Sequence, residues 1–232
     1  MRNRGKNSND DTLFGSKTLQ LKFKEALEDM RYLLSRGYGE KSALQLVGNR
    51  YRFNLRQQQA ILGMSASQQQ IELRQSHEVY LNQMHCETFI IDGFNLLIVL
   101  ESALSGAYLF KGLDGAYRDL SSVHGTYKRV KQTETAIHLV GDTLKHHKVI
   151  WVFDQPVSNS GRLKTLLGEI AKQKAYNWDI ILDYNPDKML AQSKHIAISS
   201  DAWILDRAKR WLNLAAVLIN QHIQNHNIIQ SQ

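Results

Sequence analysis

The feature that most constrains the fold is an alternation that begins near residue 87. From there, short apolar and β-prone runs alternate with segments of helical periodicity. Strands are predicted at 88–91, 149–153, 179–182, 195–199 and 214–219, and helices at about 96–105, 133–146, 162–174 and 202–211. Short buried strands that alternate with helices are typical of βαβ units. The sequence therefore predicts an α/β fold, with a parallel sheet flanked by helices, over residues 85–232.

The first third of the chain has a different pattern. Residues 1–16 are polar and rich in Gly, Ser and Asn, which predicts a flexible tail. Helical spacing follows from Lys17 to Gly37, and further helices are predicted at 41–47, 55–64 and 67–84. We expect a small all-α domain over residues 17–84. It could be a nucleic-acid binder of the helix-turn-helix type, or a bundle that packs on the second domain or mediates dimerisation.

Charge and cysteine content exclude several classes of protein. The chain of 232 residues carries a net charge of +7 and a single cysteine, so neither an intramolecular disulfide nor a thiolate metal site is expected. Residues 1–80 hold 13 Lys or Arg against 8 Asp or Glu, a surplus that favours polyanionic partners. No signal peptide and no apolar run long enough to cross a bilayer is seen, which predicts a cytoplasmic protein without a membrane partner.

Four predicted strands end in a carboxylate. Asp92 follows the first, Asp154 the second, Asp183 the third (with Asp187 four residues later), and Asp201 the fourth. The carboxyl ends of parallel strands share one edge, and ligands bind there at the switch point of the strand order. We therefore expect these acids to converge. Whether Asp183 or Asp187 faces the site stays open at this stage.

A cluster of acids is unfavourable unless a hard cation neutralises it, and Mg²⁺ or Mn²⁺ is the expected cofactor. Such an ion could activate water for the hydrolysis of a phosphodiester. The alternative is that each aspartate forms a turn or caps the following helix. That alternative is strongest for Asp154 and Asp183, which lie in turn-like sequences, and weaker for Asp92 and Asp201.

Three motifs carry a resemblance to a known superfamily. Asp-Gly-Phe-Asn at 92–95, Phe-Asp at 153–154 and Ser-Ser-Asp-Ala-Trp-Ile-Leu-Asp at 199–206 resemble the PIN and NYN nucleases. The resemblance covers roughly residues 85–220, and the whole chain resembles a prokaryotic family that joins a small helical domain to a PIN-like domain. It implies an acid cluster that binds Mg²⁺ or Mn²⁺, with metal-binding and catalytic roles for Asp92, Asp154, Asp187 and Asp201. Ser200 departs from the pattern, because glycine is common at that place.

Other polar residues are candidates for binding the substrate. Asn95 resembles the companion amide of the first acid, and Ser200 precedes Asp201. The stretch 106–132 shows the hydrophobic periodicity of neither a helix nor a strand, and it would suit a flap over a phosphate-bearing ligand. The basic candidates in and beyond this stretch are Arg118, Lys128, Arg129 and Arg162, for which simple surface solvation is the alternative. Asp114, Asp119 and Glu134 could supply another acid, and His124 could transfer protons.

The sequence and the resemblance together predict a metal-dependent ribonuclease that hydrolyses phosphodiester bonds of RNA, with single-stranded DNA as another candidate substrate. The alternative is a catalytically inactive PIN-like protein that binds nucleic acid or acts as a scaffold. A homodimer is a further candidate assembly. Two other enzyme classes fit poorly. A phosphatase of the haloacid-dehalogenase type would need a second acid at position 94, which is Phe here. A dinucleotide-binding enzyme would need Gly-x-Gly-x-x-Gly after the first strand, and this motif is absent there.

Overall fold

Five helices precede the first strand in the computed structural model, which describes residues 4–121, 125–224 and 226–230. They are α1 (Asp10–Phe14), α2 (Lys17–Ser35), α3 (Glu40–Tyr51), α4 (Leu55–Met64) and α5 (Gln68–His77). Asn54 and Ser67 form capping boxes at the starts of α4 and α5, in which side chains satisfy otherwise unpaired amides. The predicted helix 67–84 ends earlier, at His77, and only a 3-10 turn at Leu81–Gln83 follows it.

The second region alternates strands and helices. Its elements are β1 (Thr88–Asp92), α6 (Gly93–Leu104), β2 (Tyr108–Lys111), β3 (Tyr117–Arg118), α7 (Thr133–Thr143), β4 (Lys148–Asp154), α8 (Ser160–Lys174), β5 (Trp178–Asp183), α9 (Pro186–Ala191), β6 (Ile196–Ile198), α10 (Ala202–Leu205), α11 (Leu214–His222) and β7 (Asn227–Ile229). The predicted α/β fold with a preceding helical region is confirmed.

The main sheet has four parallel strands in the order β5-β4-β1-β6. Its central strands are buried, as their unbroken apolar runs predict. From β1 the chain extends the sheet through β4 to β5, and it then returns to place β6 on the other side of β1. The strand order thus reverses between β1 and β6. The ends of these two strands therefore form the crevice in which open α/β sheets bind ligands.

A second, three-stranded sheet links the two regions. Strand β2 pairs antiparallel with β3 and parallel with β7. Phe110 of β2 and Ile229 of β7 belong to the same apolar core as Phe14, Phe23 and Met30 of the helical region. The helical region therefore packs directly on the α/β region through this sheet.

Residues 4–14, which the sequence places in a flexible tail, make specific contacts. The Phe14 side chain is buried against Phe110, with ring centroids 4.9 Å apart. Asp10 is buried and forms an ion pair with Arg56 at 2.6 Å. Arg4 forms an ion pair with the buried Glu101. The polar composition of this segment predicts mobility, because it does not reveal partners that lie far away in the sequence.

Two predictions about elements of the second region are wrong. Residues 214–219 form the first part of helix α11, in which Leu214, Ala215, Leu218 and Ile219 are buried at helical spacing. A short apolar run does not by itself distinguish a buried helix from a buried strand. The predicted helix 202–211 ends at Leu205, because the chain then turns back beside β6, where the Leu212 amide donates to the Ala197 carbonyl at 2.9 Å.

No helix within the described residues is long and apolar enough to cross a membrane.

Candidate functional site

Asp92 ends β1 at the point where the strand order reverses. Its Oδ1 accepts a hydrogen bond from the Asn95 amide at 3.3 Å, so the carboxylate caps α6, and its Oδ2 accepts from the Ser199 hydroxyl at 2.9 Å. The helix can begin immediately after the strand because residue 93 is glycine: a Cβ there would lie 2.2 Å from the Phe153 ring. The sequence Asp-Gly therefore holds the carboxylate against the sheet edge.

Asp201 lies across the crevice from Asp92, in the loop after β6. Its amide donates to the Ser199 hydroxyl at 3.0 Å, and its Oδ1 accepts from the amides of Trp203 and Ile204. One serine hydroxyl therefore contacts both the Asp92 carboxylate and the Asp201 backbone. Both aspartates cap helices, as the alternative interpretation expects, and Asp201 also lines an open cavity.

Asn95 fixes the position of the same loop. Its Oδ1 accepts from the Ser200 amide at 2.8 Å and from the Ser200 hydroxyl at 2.9 Å. Both partners lie about a hundred residues further along the chain. Asn95 and Ser200 were predicted to contact the substrate, and in the structure they connect the β1 end to the β6 end.

Asp187 lies in the first turn of α9, and the structure brings it, rather than Asp183, towards Asp92 and Asp201. Burial and, to a smaller extent, the nearby Asp187 and Asp201 raise the pKa of Asp92 to about 7, although the two hydrogen bonds that its carboxylate accepts lower it. Burial, Asp201 and Asp154 in turn raise the pKa of Asp187. These carboxylates are therefore close enough to repel one another.

Asp154 and Asp183 are register partners at the ends of β4 and β5. Burial and the neighbouring Asp183 raise the pKa of Asp154. The Asp183 carboxylate accepts from the Asn185 amide at 2.7 Å, so it forms the turn that leads into α9. Asp154 thus belongs to the acidic edge through its effect on Asp187, and Asp183 mainly shapes the turn.

The donor set of this edge suits a hard divalent cation, since it consists of carboxylate oxygens. Within the described residues, Asp92, Asp154, Asp187 and Asp201 form no ion pair with Lys, Arg or His. In the same part of the chain, no three His, Cys, Asp or Glu side chains are grouped closely enough to hold a metal ion as they stand. Direct ligation by one or two carboxylates, with water completing the shell, is the geometry that fits both observations.

A buried ion-pair network lies beside the acidic edge. Arg74 of α5 is fully buried and donates to Asp114 at 2.6 Å and to Asp206 at 2.7 Å. Arg118 also pairs with Asp114, and its Nε donates to the Ser200 carbonyl at 2.8 Å. Although burial alone raises the pKa of Asp114, Arg118 and Arg74 hold it at about 2. This network connects the helical region to the loop that carries Asp201, and Arg118 acts in it as a support.

The other predicted basic residues lie on a different part of the surface. Arg129 and Arg162 line a cavity of about 270 Å³ together with Tyr127 and Asn159. Arg129 forms an ion pair with Glu134, whereas Arg162 is exposed near the start of α8. The side chain of Lys128 is exposed, and its carbonyl accepts from Arg4 at 2.6 Å. Loop residues 126 and 158 pair as a bridge, which places this cavity near the end of β4.

The additional acids named from the sequence have other partners. Asp114 belongs to the network with Arg74, and Glu134 pairs with Arg129. Asp119 accepts from the Ser121 amide at 2.6 Å, and burial raises its pKa to about 6. His124 lies outside the described residues.

Two residues of the site were missed from the sequence. Ser199 stands within the quoted Ser-Ser-Asp motif, directly after a strand, so its position was a usable signal. Arg74 has no local signal, because its partners Asp114 and Asp206 lie 40 and 132 positions away.

The fold and the site define a class: a helical region joined to an α/β domain with a parallel four-stranded sheet and acids at its carboxyl edge. The family described as "Domain of unknown function (DUF5616)" matches residues 81–217, and the family described as "Protein of unknown function (DUF434)" matches residues 22–77. A relative from Methanocaldococcus jannaschii, "Uncharacterized protein MJ0935", is 32% identical over 187 residues, which cover 80% of this chain and 89% of the relative. No solved structure matches the chain. The chain belongs to the DUF5616 family.

Proposed function

We propose that this protein is a PIN-like, divalent-metal-dependent nuclease that hydrolyses phosphodiester bonds of RNA. One observation carries the proposal: Asp92, Asp187 and Asp201 lie close together at the switch point of a parallel sheet, and no cationic side chain of the described chain is paired with them. Their proximity is seen in the pKa of Asp92, which Asp187 and Asp201 raise, and in the pKa of Asp187, which Asp201 raises. Unpaired carboxylates in such proximity are costly to fold. A function that brings a cation to them accounts for that cost.

The chain's own residues would have distinct tasks. One or two of the carboxylates of Asp92, Asp187 and Asp201 would bind Mg²⁺ or Mn²⁺ directly, and the remaining one, with Asp154, would act through water. When bound, such an ion supplies an activated water and stabilises charge on the phosphodiester oxygens. Ser199 orients the Asp92 carboxylate, and Asn95 fixes the loop that carries Asp201. The raised pKa of Asp92, about 7, means that ion binding competes with a proton at neutral pH.

The net charge of +7 supports a polyanionic substrate. The basic surplus of residues 1–80 and the exposed Arg162 near the start of α8 are charges that such a substrate could contact. Single-stranded DNA is a substrate of the same chemistry. The cytoplasmic location and the homodimer remain predictions that no observation of the structure addresses.

The test is cleavage of a mixed RNA and single-stranded DNA pool by the purified chain with Mn²⁺, Mg²⁺ or EDTA. We expect cleavage that requires the metal, and the double variant Asp92→Asn/Asp201→Asn should lose at least about 100-fold in rate, or ~2.7 kcal/mol of transition-state stabilisation. Asp179→Asn is the matched control, because Asp179 is an exposed aspartate of the same sheet that pairs with Lys148. Cleavage that survives the double substitution, or that persists in EDTA, would rule the proposal out.

A second candidate is a catalytically inactive PIN-like protein that binds nucleic acid or acts as a scaffold. It is favoured by the finding that, in the described part of the chain, no three potential ligands are grouped closely enough to hold an ion. Such a protein should bind RNA equally well in EDTA and in Mn²⁺, and it should show no turnover under either condition.

A further inference from the structure

A cavity of about 360 Å³ lies between the helical region and the acidic edge. One wall comes from α4 and α5, including Gly63 and Gln70, and the opposite wall includes Asn95, Ser200 and Asp201. Pockets for small molecules usually measure roughly 300–1,000 Å³. The cavity is therefore large enough for one nucleoside-sized group, and it opens directly beside the proposed catalytic edge.

Gly63 lines this cavity, and neither the packing around it nor its backbone conformation requires a glycine. It is the next-to-last residue of α4, a position at which alanine or a longer side chain would favour the helix more than glycine does. Its φ is not positive, and a Cβ added there would meet only Arg118 Cδ at 3.8 Å, an ordinary contact. By contrast, Gly48 of α3 is required by packing, since its Cβ would lie 2.8 Å from Gln58. At position 63, a longer side chain would extend towards Arg118 and fill the cavity.

The charges on the walls restrict what can bind. The two arginines of the lining, Arg74 and Arg118, are already paired with carboxylates. Asp119 and Asp201 also line the cavity, and neither forms an ion pair within the described residues. These walls offer acceptors rather than unpaired cations. They therefore disfavour a phosphate and favour a neutral group rich in donors, such as ribose hydroxyls and exocyclic amines of a base.

We propose that this cavity receives one nucleoside of the substrate, so that the helical region forms a wall of the substrate site. The inference rests on the proposed function, since it takes the substrate to be a nucleic acid. In this proposal the helical region does more than contribute basic charge, because α4 and α5 shape a pocket next to Asp201. The adjoining phosphodiester would then lie at the edge formed by Asp92 and Asp201.

The experiment compares Gly63→Leu with Gly168→Leu. Gly168 also lies inside a helix, α8, and a Cβ added there meets nothing within 4 Å, so the chemical change is the same away from the cavity. The dissociation constant of a labelled single-stranded RNA tetranucleotide is measured in EDTA, with competition by adenosine, guanosine, cytidine and uridine. Gly63→Leu should raise the Kd at least about tenfold and abolish nucleoside competition. Gly168→Leu should leave both within about twofold.

Thermal unfolding of each variant checks the fold, and Gly63→Gln provides a second, more flexible obstruction if the leucine variant unfolds. Unchanged Kd in a folded Gly63 variant, an equal loss in the Gly168 variant, or no binding by the unaltered protein would each overturn the inference. The outcome is separable from the nuclease proposal because binding is measured without metal. RNA binding that depends on Gly63, without any cleavage in Mn²⁺, would keep the cavity assignment and reject the nuclease.

Discussion

Two groups of aspartates lie side by side in this molecule, and they differ in whether arginines pair with them and in the direction of their pKa shifts. Asp114 and Asp206 are paired with Arg74 and Arg118, and the pKa of Asp114 is held at about 2 although burial opposes it. At the sheet edge, Asp92 has no such partner within the described residues, and its pKa is raised to about 7. The difference separates a charge network that holds the fold together from a group of carboxylates that no cationic side chain of the described residues neutralises.

Removing Arg74 should produce the largest effect on stability. Arg74→Met keeps the length of the side chain and leaves Asp114 and Asp206 without their buried partner, which should cost about 3–5 kcal/mol. Arg31→Met is the matched control, because Arg31 pairs with Glu28 on the surface of α2, where such pairs contribute roughly 0–1 kcal/mol. Urea denaturation of both variants at pH 7 measures the difference. A loss below about 1 kcal/mol for Arg74→Met would show that the network is dispensable.

The two groups should also give opposite dependences of stability on pH in metal-free buffer. The folded pKa of Asp92, about 7, lies above the unfolded value of about 3.9, so the folded state binds the extra proton. The stability that Asp92 contributes is therefore complete below about pH 4 and is lost as the pH rises through 7. At pH 8, Asp92→Asn should be more stable than the unaltered protein by about 2 kcal/mol, roughly half of the free energy that the full pKa shift represents, because residue 92 is not completely buried.

Asp114→Asn provides the opposite sign. The folded pKa of Asp114, about 2, lies below its unfolded value, so its contribution is present above about pH 4 and is lost as the pH falls towards 2. Thermal unfolding at pH 2.5, 4 and 8 in EDTA measures both variants, because the contribution of Asp114 changes between the first two values and that of Asp92 between the last two. Stability curves of the same slope for the two substitutions would contradict the distinction between a paired and an unpaired carboxylate.

Metal addition should stabilise the acidic edge alone. A ligand present at ten times its Kd adds about 1.4 kcal/mol, or roughly 3–6 °C in Tm for a chain of this size. Mn²⁺ should therefore raise the Tm of the unaltered protein and of Asp179→Asn by that amount, and leave the Tm of Asp92→Asn/Asp201→Asn unchanged. An equal rise in all three proteins would point to ion binding elsewhere.

The elements that define the fold were predictable because they carry local signals. The strands that end in Asp92 and Asp154 are short, apolar and followed by turn-forming residues, and their order already places their ends at one edge. The helix at Leu214–His222 was predicted as a strand, since its first six residues are apolar without a gap. Only the tertiary packing of that segment distinguishes the two.

The site residues likewise fall into those that local sequence predicts and those that depend on tertiary structure. Asp92 and Asp201 follow strands, and their convergence could be predicted from the parallel sheet alone. The choice between Asp183 and Asp187 could not, because it depends on how the chain turns into α9: Asn185 uses the Asp183 carboxylate to form the turn, and Asp187 emerges one helical turn later. Arg118 supports Ser200 and Asp114, partners that local sequence does not reveal, and its contact with a substrate stays a prediction.

The comparison between paired and unpaired charges extends to the cations, where the smallest effect is expected. Arg129 and Arg162 line the same cavity, but Arg129 is paired with Glu134, and Arg162 forms no ion pair within the described residues. Only an unpaired guanidinium can neutralise a phosphate without first breaking another contact. We therefore expect Arg162→Gln to weaken binding of single-stranded RNA about threefold and to reduce the slope of log K against log salt by about 0.7, with Arg129→Gln changing both by less than half as much. Fluorescence anisotropy from 50 to 200 mM salt measures both quantities. Equal losses of affinity in the two variants would show that the ion pair between Arg129 and Glu134 opens readily in solution. The difference in pairing between the two arginines would then not affect RNA binding.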